Sequence, residues 1–265
     1  MTNIAIAGAG GRMGRAIAEQ VRERDDIRIT GALVRPGSEH EDRPVPGLSG
    51  PNGTADPEAA VAGADVVLDF SVPEAAPEVA RAAAAAGAGL VVGITGLDTA
   101  TRRSLEAFGE HIPVLFAPNT SLGVNLLAGL VRRAAALLGE EYDIEILEAH
   151  HRHKADAPSG TALRLGEAAA QGRGIDADDR ADHDRHGRTG PRKPGDIGYA
   201  VIRGGDIAGE HNVIFAGPGE RLELGHRASS RATFAAGAVH CAVWTARQAP
   251  GRYSMDDVLD LGPGA

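Results

Sequence analysis

The run "NIAIAGAGGRMGRAIAEQVRER" at residues 3–24 decides the fold. Its opening, NIAIAG, is an apolar run that ends in glycine, the pattern of a strand buried on both faces. From Arg12 the apolar residues recur at helical spacing, which predicts a helix over 12–24. Between strand and helix stands GAGGRMG, residues 8–14, which matches G-x-G-x-x-x-G through Gly8, Gly10 and Gly14, with Gly11 in addition. Glycines here permit a tight turn and a close approach of backbone to a pyrophosphate. The helix start adds unpaired N–H groups and the positive end of its dipole. A tight strand-to-helix turn without a ligand is the alternative; the position after the first strand favours a dinucleotide site. The spacing is one residue longer than the commonest form and marks a variant of it.

Outward from this run, strand and helix patterns alternate. Strands are predicted at IRITGALV (27–34), ADVVLDF (64–70), GLVVGIT (89–95) and IPVLFAP (112–118), with helices at PEVARAAAAAG (77–87) and near 98–110. The expectation is a Rossmann-type, doubly wound parallel sheet. After residue 120 the character changes. A helix over 121–138 leads into YDIEILEAH (142–150), then a helix at SGTALRLGEAAAQ (159–171) with Ser159 as N-cap. Residues 173–195 read as a long polar loop, with 176–188 a mobile surface segment. Three strand-like runs follow at 197–205, 210–217 and 220–228 without helices between them, which predicts a second α+β domain with an open, mixed sheet. A helix over 231–247 and a short tail complete the chain. The expected division is 1–121 with 232–265 as the dinucleotide-binding domain, and 122–231 as a substrate-binding and oligomerisation domain.

Composition narrows the function. A net charge of −9 and a pI near 5.6 argue against a nucleic-acid partner, which needs a clustered basic face. No run of 18 apolar residues and no leader pattern is present, so a cytoplasmic protein without a membrane partner is expected. A single cysteine, Cys241, excludes an internal disulfide and a multi-cysteine metal site and reads as a small core residue. Lys154 and Lys193 are the only lysines in a chain that otherwise uses arginine, so Lys154 suggests proton chemistry that arginine cannot perform.

About twenty residues past Gly14, where an acidic side chain usually binds the adenosine ribose, stand Val34 and Arg35. Valine cannot accept those hydrogen bonds, whereas arginine can pair with a 2′-phosphate, so NADPH is preferred and NADH remains possible. Arg35 as a solvated loop cation is the alternative. The strand ends Gly93, Ile94, Thr95 and Ala117, Pro118, Asn119, Thr120 fall on the carboxyl edge of the same sheet, where they line the nicotinamide half of the cleft or form ordinary turns.

Cations collect at "EAHHRHKADAPSGTA", residues 148–162: His150, His151, Arg152, His153 and Lys154 precede a helix start at Pro158-Ser159-Gly160-Thr161. The amides of Gly160 and Thr161, the helix dipole and the cations together suit a carboxylate, and His150 with Lys154 can supply a proton. A metal site and a solvated basic loop are the alternatives. Adjacent His150 and His151 on an extended chain point to opposite sides, which disfavours shared metal ligation.

GAGGRMG, GITG, APNTSLGVN, the EAHHRHKADAPSGTA block and DIAGEHNVIFAGPGERLELGHRASSR together resemble the 4-hydroxy-tetrahydrodipicolinate (dihydrodipicolinate) reductases of lysine and diaminopimelate biosynthesis, over nearly the whole chain. The resemblance implies an NAD(P)H-dependent oxidoreductase acting on a small cyclic dicarboxylate, and a homotetramer assembled through the second sheet. It implies that His150 is the acid/base residue, Lys154 the proton donor, and His151, Gly160 and Thr161 the carboxylate holders. It implies a cofactor lining of Gly8, Ala9, Gly10, Gly11, Arg12, Met13, Arg35, Gly93 to Thr95 and Ala117 to Thr120, with no metal. One departure is Val34, where many relatives carry an acidic residue. A dehydrogenase for another carboxylated substrate, such as a short semialdehyde, and a non-catalytic dinucleotide sensor are the competing classes.

Overall fold

The structure is a computed structural model that describes residues 1–230 and 232–262. The chain divides into two compact units, Met1–Leu122 with Ala232–Leu259, and Gly123–Arg231 with Asp260–Ala265.

The first unit holds strands β1 (Thr2–Ala7), β2 (Ile27–Leu33), β3 (Val66–Asp69), β4 (Gly89–Val92) and β5 (Pro113–Phe116), with β11 (Gly251–Ser254) from the end of the chain. All pair in parallel, in the order β11-β5-β4-β3-β1-β2. The alternation of side chains along a strand sorts them onto two faces. Ile4, Ile6 and Leu68 pack with Ile17 and Val21 of α1 (Arg12–Arg22) and with Ala238, Cys241 and Ala242 of α8 (Ala232–Thr245). Ala5, Val67 and Leu90 pack with Val61 of α2 (Pro57–Val61), with Val79 and Ala83 of α3 (Ala76–Ala86), and with Leu105 of α4 (Thr99–Ala107). Burial on both faces is why these strands read as unbroken apolar runs. The direction in which successive strands are added to the sheet reverses between β1 and β3, and the glycine turn after β1 lies at that switch, where doubly wound sheets bind ligands.

Sequence periodicity missed β11, an edge strand of four residues with alternating exposure, and the short helices α2 and α9 (Met255–Val258). The helix expected over 231–247 runs from Ala232 to Thr245; Arg231 lies outside the described residues.

The second unit holds β6 (Asp143–His150), β7 (Ala181–Asp182), β8 (Ile197–Arg203), β9 (Glu210–Gly217) and β10 (Glu220–Arg227), in the order β10-β9-β6-β8-β7. The sheet is mixed: β6 pairs with β8 in parallel and with β9 antiparallel. One face, carrying Ile144, Ile146, Val213 and Phe215, packs on Leu127 and Val131 of α5 (Leu122–Leu138) and on Leu165 and Ala169 of α6 (Gly160–Arg173). Gly166 lets α6 lie close to the sheet, because a Cβ there would meet the Tyr199 hydroxyl at 1.7 Å. Helix α6 stops at Gly174, whose φ of 66° suits a left-handed C-cap.

Two expectations need correction. The segment read as a structureless loop, 173–195, contains the end of α6, the helix α7 (Ala177–Arg180) and β7. It is tied to β6 by Arg185 to Glu145 at 2.7 Å and by Arg192 to Asp143 and Glu145 at 2.9 Å each, long-range pairs that local composition does not reveal. The described residues after Leu259 group with the second unit, not the first, because Leu261 packs over Gly129 of α5.

Candidate active site

In the first unit the glycine turn is built from the inside. The amides of Gly8 and Ala9 both donate to the Leu33 carbonyl at 3.0 Å, and that of Gly11 to the Gly8 carbonyl at 2.9 Å. Gly8, with φ 79°, sits where a Cβ would come within 2.6 Å of the Phe70 carbonyl. Gly14 packs α1 onto the turn, since a Cβ there would meet the Ala9 carbonyl at 2.4 Å. Three turn amides are therefore committed to the fold. The first-turn amides of Arg12 and Met13 are donors of the kind a helix start leaves without intrahelical acceptors. The N-cap of α1, Gly11, makes no side-chain cap hydrogen bond, and no acidic residue stands in the first turn. The positive helix end thus meets no carboxylate of its own helix, which suits a phosphate.

The other predicted cofactor residues follow the ends of neighbouring strands. Val34 is buried in the core and Arg35 is exposed just beyond β2. Ile94 and Ala117 are core side chains, so they can face a ligand only through their backbone, whereas Thr95 and Pro118 are exposed. Thr120 is buried, and its hydroxyl donates to the Phe234 carbonyl at 2.6 Å. Asn119 caps the next turn by accepting from the Ser121 amide. Phe70 links two of these ends: its carbonyl abuts Gly8, and its ring fills the space where a Cβ on Gly93 would be 2.3 Å away. Asp69 fixes that residue's turn, accepting from the Ser71 amide at 3.0 Å and hydroxyl at 2.6 Å. Asp69 is itself buried, and burial pushes its carboxyl up to about 6 against the two Ser71 hydrogen bonds.

In the second unit the decisive residues converge at the carboxyl end of β6. His150 ends that strand, and Glu148, two residues earlier, shares its face. Glu148 is 1% exposed. Its carboxylate accepts from His150 Nδ1 at 2.5 Å, from the Ser159 amide at 2.9 Å, and from both terminal nitrogens of Arg203 at 2.8 Å each. Burial opposes its charge, but the bonds from Arg203, His150 and Ser159 outweigh it and hold the carboxyl below the ordinary glutamate range. The sheet register explains the gathering: Arg203 lies opposite His150, and His211 opposite Glu148.

His211 is buried with its ring edge-on to His150, centroids 5.1 Å apart. Burial first, then the neighbouring His150, pushes it down to about 4, so it is neutral near pH 7. Its Nε2 lies 3.1 Å from Ser159 Oγ, which also accepts from the Ala162 amide as the N-cap of α6. The helix start with Gly160 and Thr161 is thereby fixed to the same strand ends that carry His150.

Lys154 is half-buried, and its Nζ pairs with Asp156 at 2.9 Å. Arg203 reaches the same loop, donating to the Asp156 carbonyl at 2.6 Å. His151 is half-buried, with its ring 6.2 Å from that of His153. The predicted cofactor residues all belong to the first unit, and His150, His151, Lys154, Gly160 and Thr161 to the second. Sequence reading missed Glu148, Arg203, His211 and Asp69. Glu148 had a usable signal, its strand period with His150; Arg203 and His211 are placed only by cross-strand register.

The model of the dihydrodipicolinate reductase N-terminus matches residues 2–120, and that of the C-terminus matches residues 123–259. The chain belongs to the dihydrodipicolinate reductase family. The chain is 52% identical to the 4-hydroxy-tetrahydrodipicolinate reductase of Alkalilimnicola ehrlichii, with 98% of this chain and 99% of that one covered. It is 51% identical to that of Thiobacillus denitrificans over 97% of this chain and 98% of the relative. Among solved structures, a dipicolinate-bound dihydrodipicolinate reductase from Paenisporosarcina sp. TG-14 shares the fold, with a TM-score of 0.78 at 22% identity over 96% of this chain and 97% of that one. Family membership makes the protein an NAD(P)H-dependent oxidoreductase of the lysine and diaminopimelate route.

Proposed function

We infer that this protein reduces 4-hydroxy-tetrahydrodipicolinate to tetrahydrodipicolinate. The observation that carries the reading is the convergence of His150, the Lys154 loop and the Ser159-capped start of α6 at the end of β6. The 4-hydroxyl leaves as water before or during reduction, and a bound reduced nicotinamide would supply the hydride for C4 of the ring. Gly8 to Met13, Arg35, Gly93 to Thr95 and Ala117 to Thr120 would hold the cofactor, and the α1 start would supply donors to its phosphates. His151, Gly160 and Thr161 hold the substrate carboxylates. His150 acts as acid/base and Lys154 as proton donor at the adjacent carbon, and Lys154 must exchange its Asp156 partner for the substrate to do so.

NADPH is preferred over NADH. Val34 is 5% exposed and presents no acceptor to a ribose, while Arg35 is free to face a 2′-phosphate. We place the enzyme in the cytoplasm; among the described residues no helix is long and apolar enough to cross a membrane. The open face of the second sheet carries Leu147, Ile214 and Ile202, the last 47% exposed, and supports assembly of a homotetramer through that face. Sedimentation equilibrium tests this; a monomer mass would refute it.

Loss of reduced-nicotinamide absorbance with freshly generated 4-hydroxy-tetrahydrodipicolinate tests the activity. Turnover with NADPH ahead of NADH is expected, and Lys154→Ala should lower kcat by on the order of 10². Oxidation of neither cofactor would send the search to other carboxylated substrates, including short semialdehydes.

A further inference from the structure

We propose that Glu148 is a positioning residue that holds His150 in one tautomer, with its proton on Nδ1, so that Nε2 is the atom where protons leave and return. The proposal rests on His150 being the acid/base residue and deepens that reading. An ionised carboxylate has no proton to donate. Glu148 stays ionised because its oxygens take donors from Arg203, Ser159 and His150 together. The ring nitrogen 2.5 Å from it must therefore be the N–H, in neutral and in charged His150 alike.

The other side of the ring is kept open. A Cβ on Gly209 would stand 3.1 Å from His150 Nε2, so any other residue there would crowd that atom. Rotation of the ring is resisted by His211, edge-on at 5.1 Å. Every strand packed against His150 contributes a group: Glu148 from β6 itself, Arg203 from β8 and His211 from β9. Helix α6 contributes the Ser159 amide to the same carboxylate, and the loop after β6 brings Lys154 paired with Asp156. His226 of β10 lies one strand further, opposite His211. Of these, Glu148 alone accepts from the imidazole. Arg203 shares the same carboxylate, its Nη2 2.8 Å from Glu148 Oε1.

The test combines nitrogen NMR of the histidine rings with kinetics on Glu148→Gln, Glu148→Asp and His150→Gln, all in the full-length protein. In the parent, neutral His150 should show its proton on Nδ1. In Glu148→Gln the single amide oxygen must serve both the Arg203 guanidinium and His150, so the tautomer should become mixed. There kcat should fall by on the order of 10² with KM changed less than about threefold. Glu148→Asp should recover part of kcat.

Parent His150 protonated on Nε2 would overturn the proposal, and that measurement needs no variant to fold. Parent-like tautomer and kcat in Glu148→Gln would overturn it as well. The outcomes separate the proposal from the reading beneath it. Full activity in His150→Gln would remove His150 from the chemistry while leaving the tautomer result standing.

Discussion

Two buried carboxyl groups, one in each unit, show what partners do to a charge. Glu148 and Asp69 are each 1% exposed and each sits at or near the carboxyl end of a central strand. Glu148 meets a guanidinium, an imidazole and an amide, and its carboxyl is held below the ordinary range. Asp69 meets only the Ser71 amide and hydroxyl, both at one oxygen, while its Oδ2 finds no partner among the described residues. Its carboxyl is pushed up to about 6. Both carboxyls are shut off from the surface, and the donors that meet them differ in number and charge. Glu148 is built to remain an anion beside His150, whereas Asp69 is built to hold a turn.

The contrast breaks most forcefully at Arg203. Arg203→Met leaves Glu148 buried with two donors and no formal counter-charge. Breaking such a pair typically costs about 3–5 kcal/mol. The sign with pH follows from Glu148 being depressed: its favourable contribution is present above the ordinary glutamate range and is lost as pH falls through its folded value. The loss in Arg203→Met should therefore be large near pH 7 and shrink toward pH 4, read as the urea midpoint at each pH. A variant as stable as the parent at pH 7 would mean that water, not Arg203, neutralises this carboxylate.

How far the sequence reveals these two sites follows from the range of the interactions. Apart from β7, hidden in the segment read as a loop, the strands of the second sheet are legible almost to the residue, since EHNVIFAG and β9 span the same positions, Glu210–Gly217. Their alternation of buried and half-exposed side chains is a local signal. His150 and Lys154 stand out as a cation cluster before a helix start, and the glycine turn stands out by spacing. Arg203 and His211 reach Glu148 only through the order β9-β6-β8, which depends on contacts across more than fifty residues of chain. The tie between Arg185 and Glu145 escapes local reading for the same reason. Asp69 had a signal of another sort: it is the one acidic residue in the apolar run ADVVLDF that lands inside a strand buried at every position. An acid in such a place must be hydrogen-bonded or shifted, and it is both.

Asp69→Asn sharpens the comparison with a smaller effect of opposite sign. The substituted side chain could still accept from the Ser71 amide and hydroxyl through its one oxygen, so the turn that sets Phe70 between Gly8 and Gly93 should persist. What disappears is the ionisation. A carboxyl raised to about 6 when folded costs nothing below its unfolded value, then weakens the fold as pH rises toward and through 6. The displacement corresponds to at most about 3 kcal/mol. Relative to the parent, Asp69→Asn should gain stability progressively between about pH 4 and pH 6 and hold that gain at pH 8. The constant part of the difference, set by an amide nitrogen where Oδ2 lies unpartnered, cancels when one pH is compared with another. Paired urea titrations at three pH values measure the remainder. A parent-to-variant difference that does not change with pH would show that Asp69 ionises without cost, and that an unseen donor makes its surroundings as favourable to charge as those of Glu148.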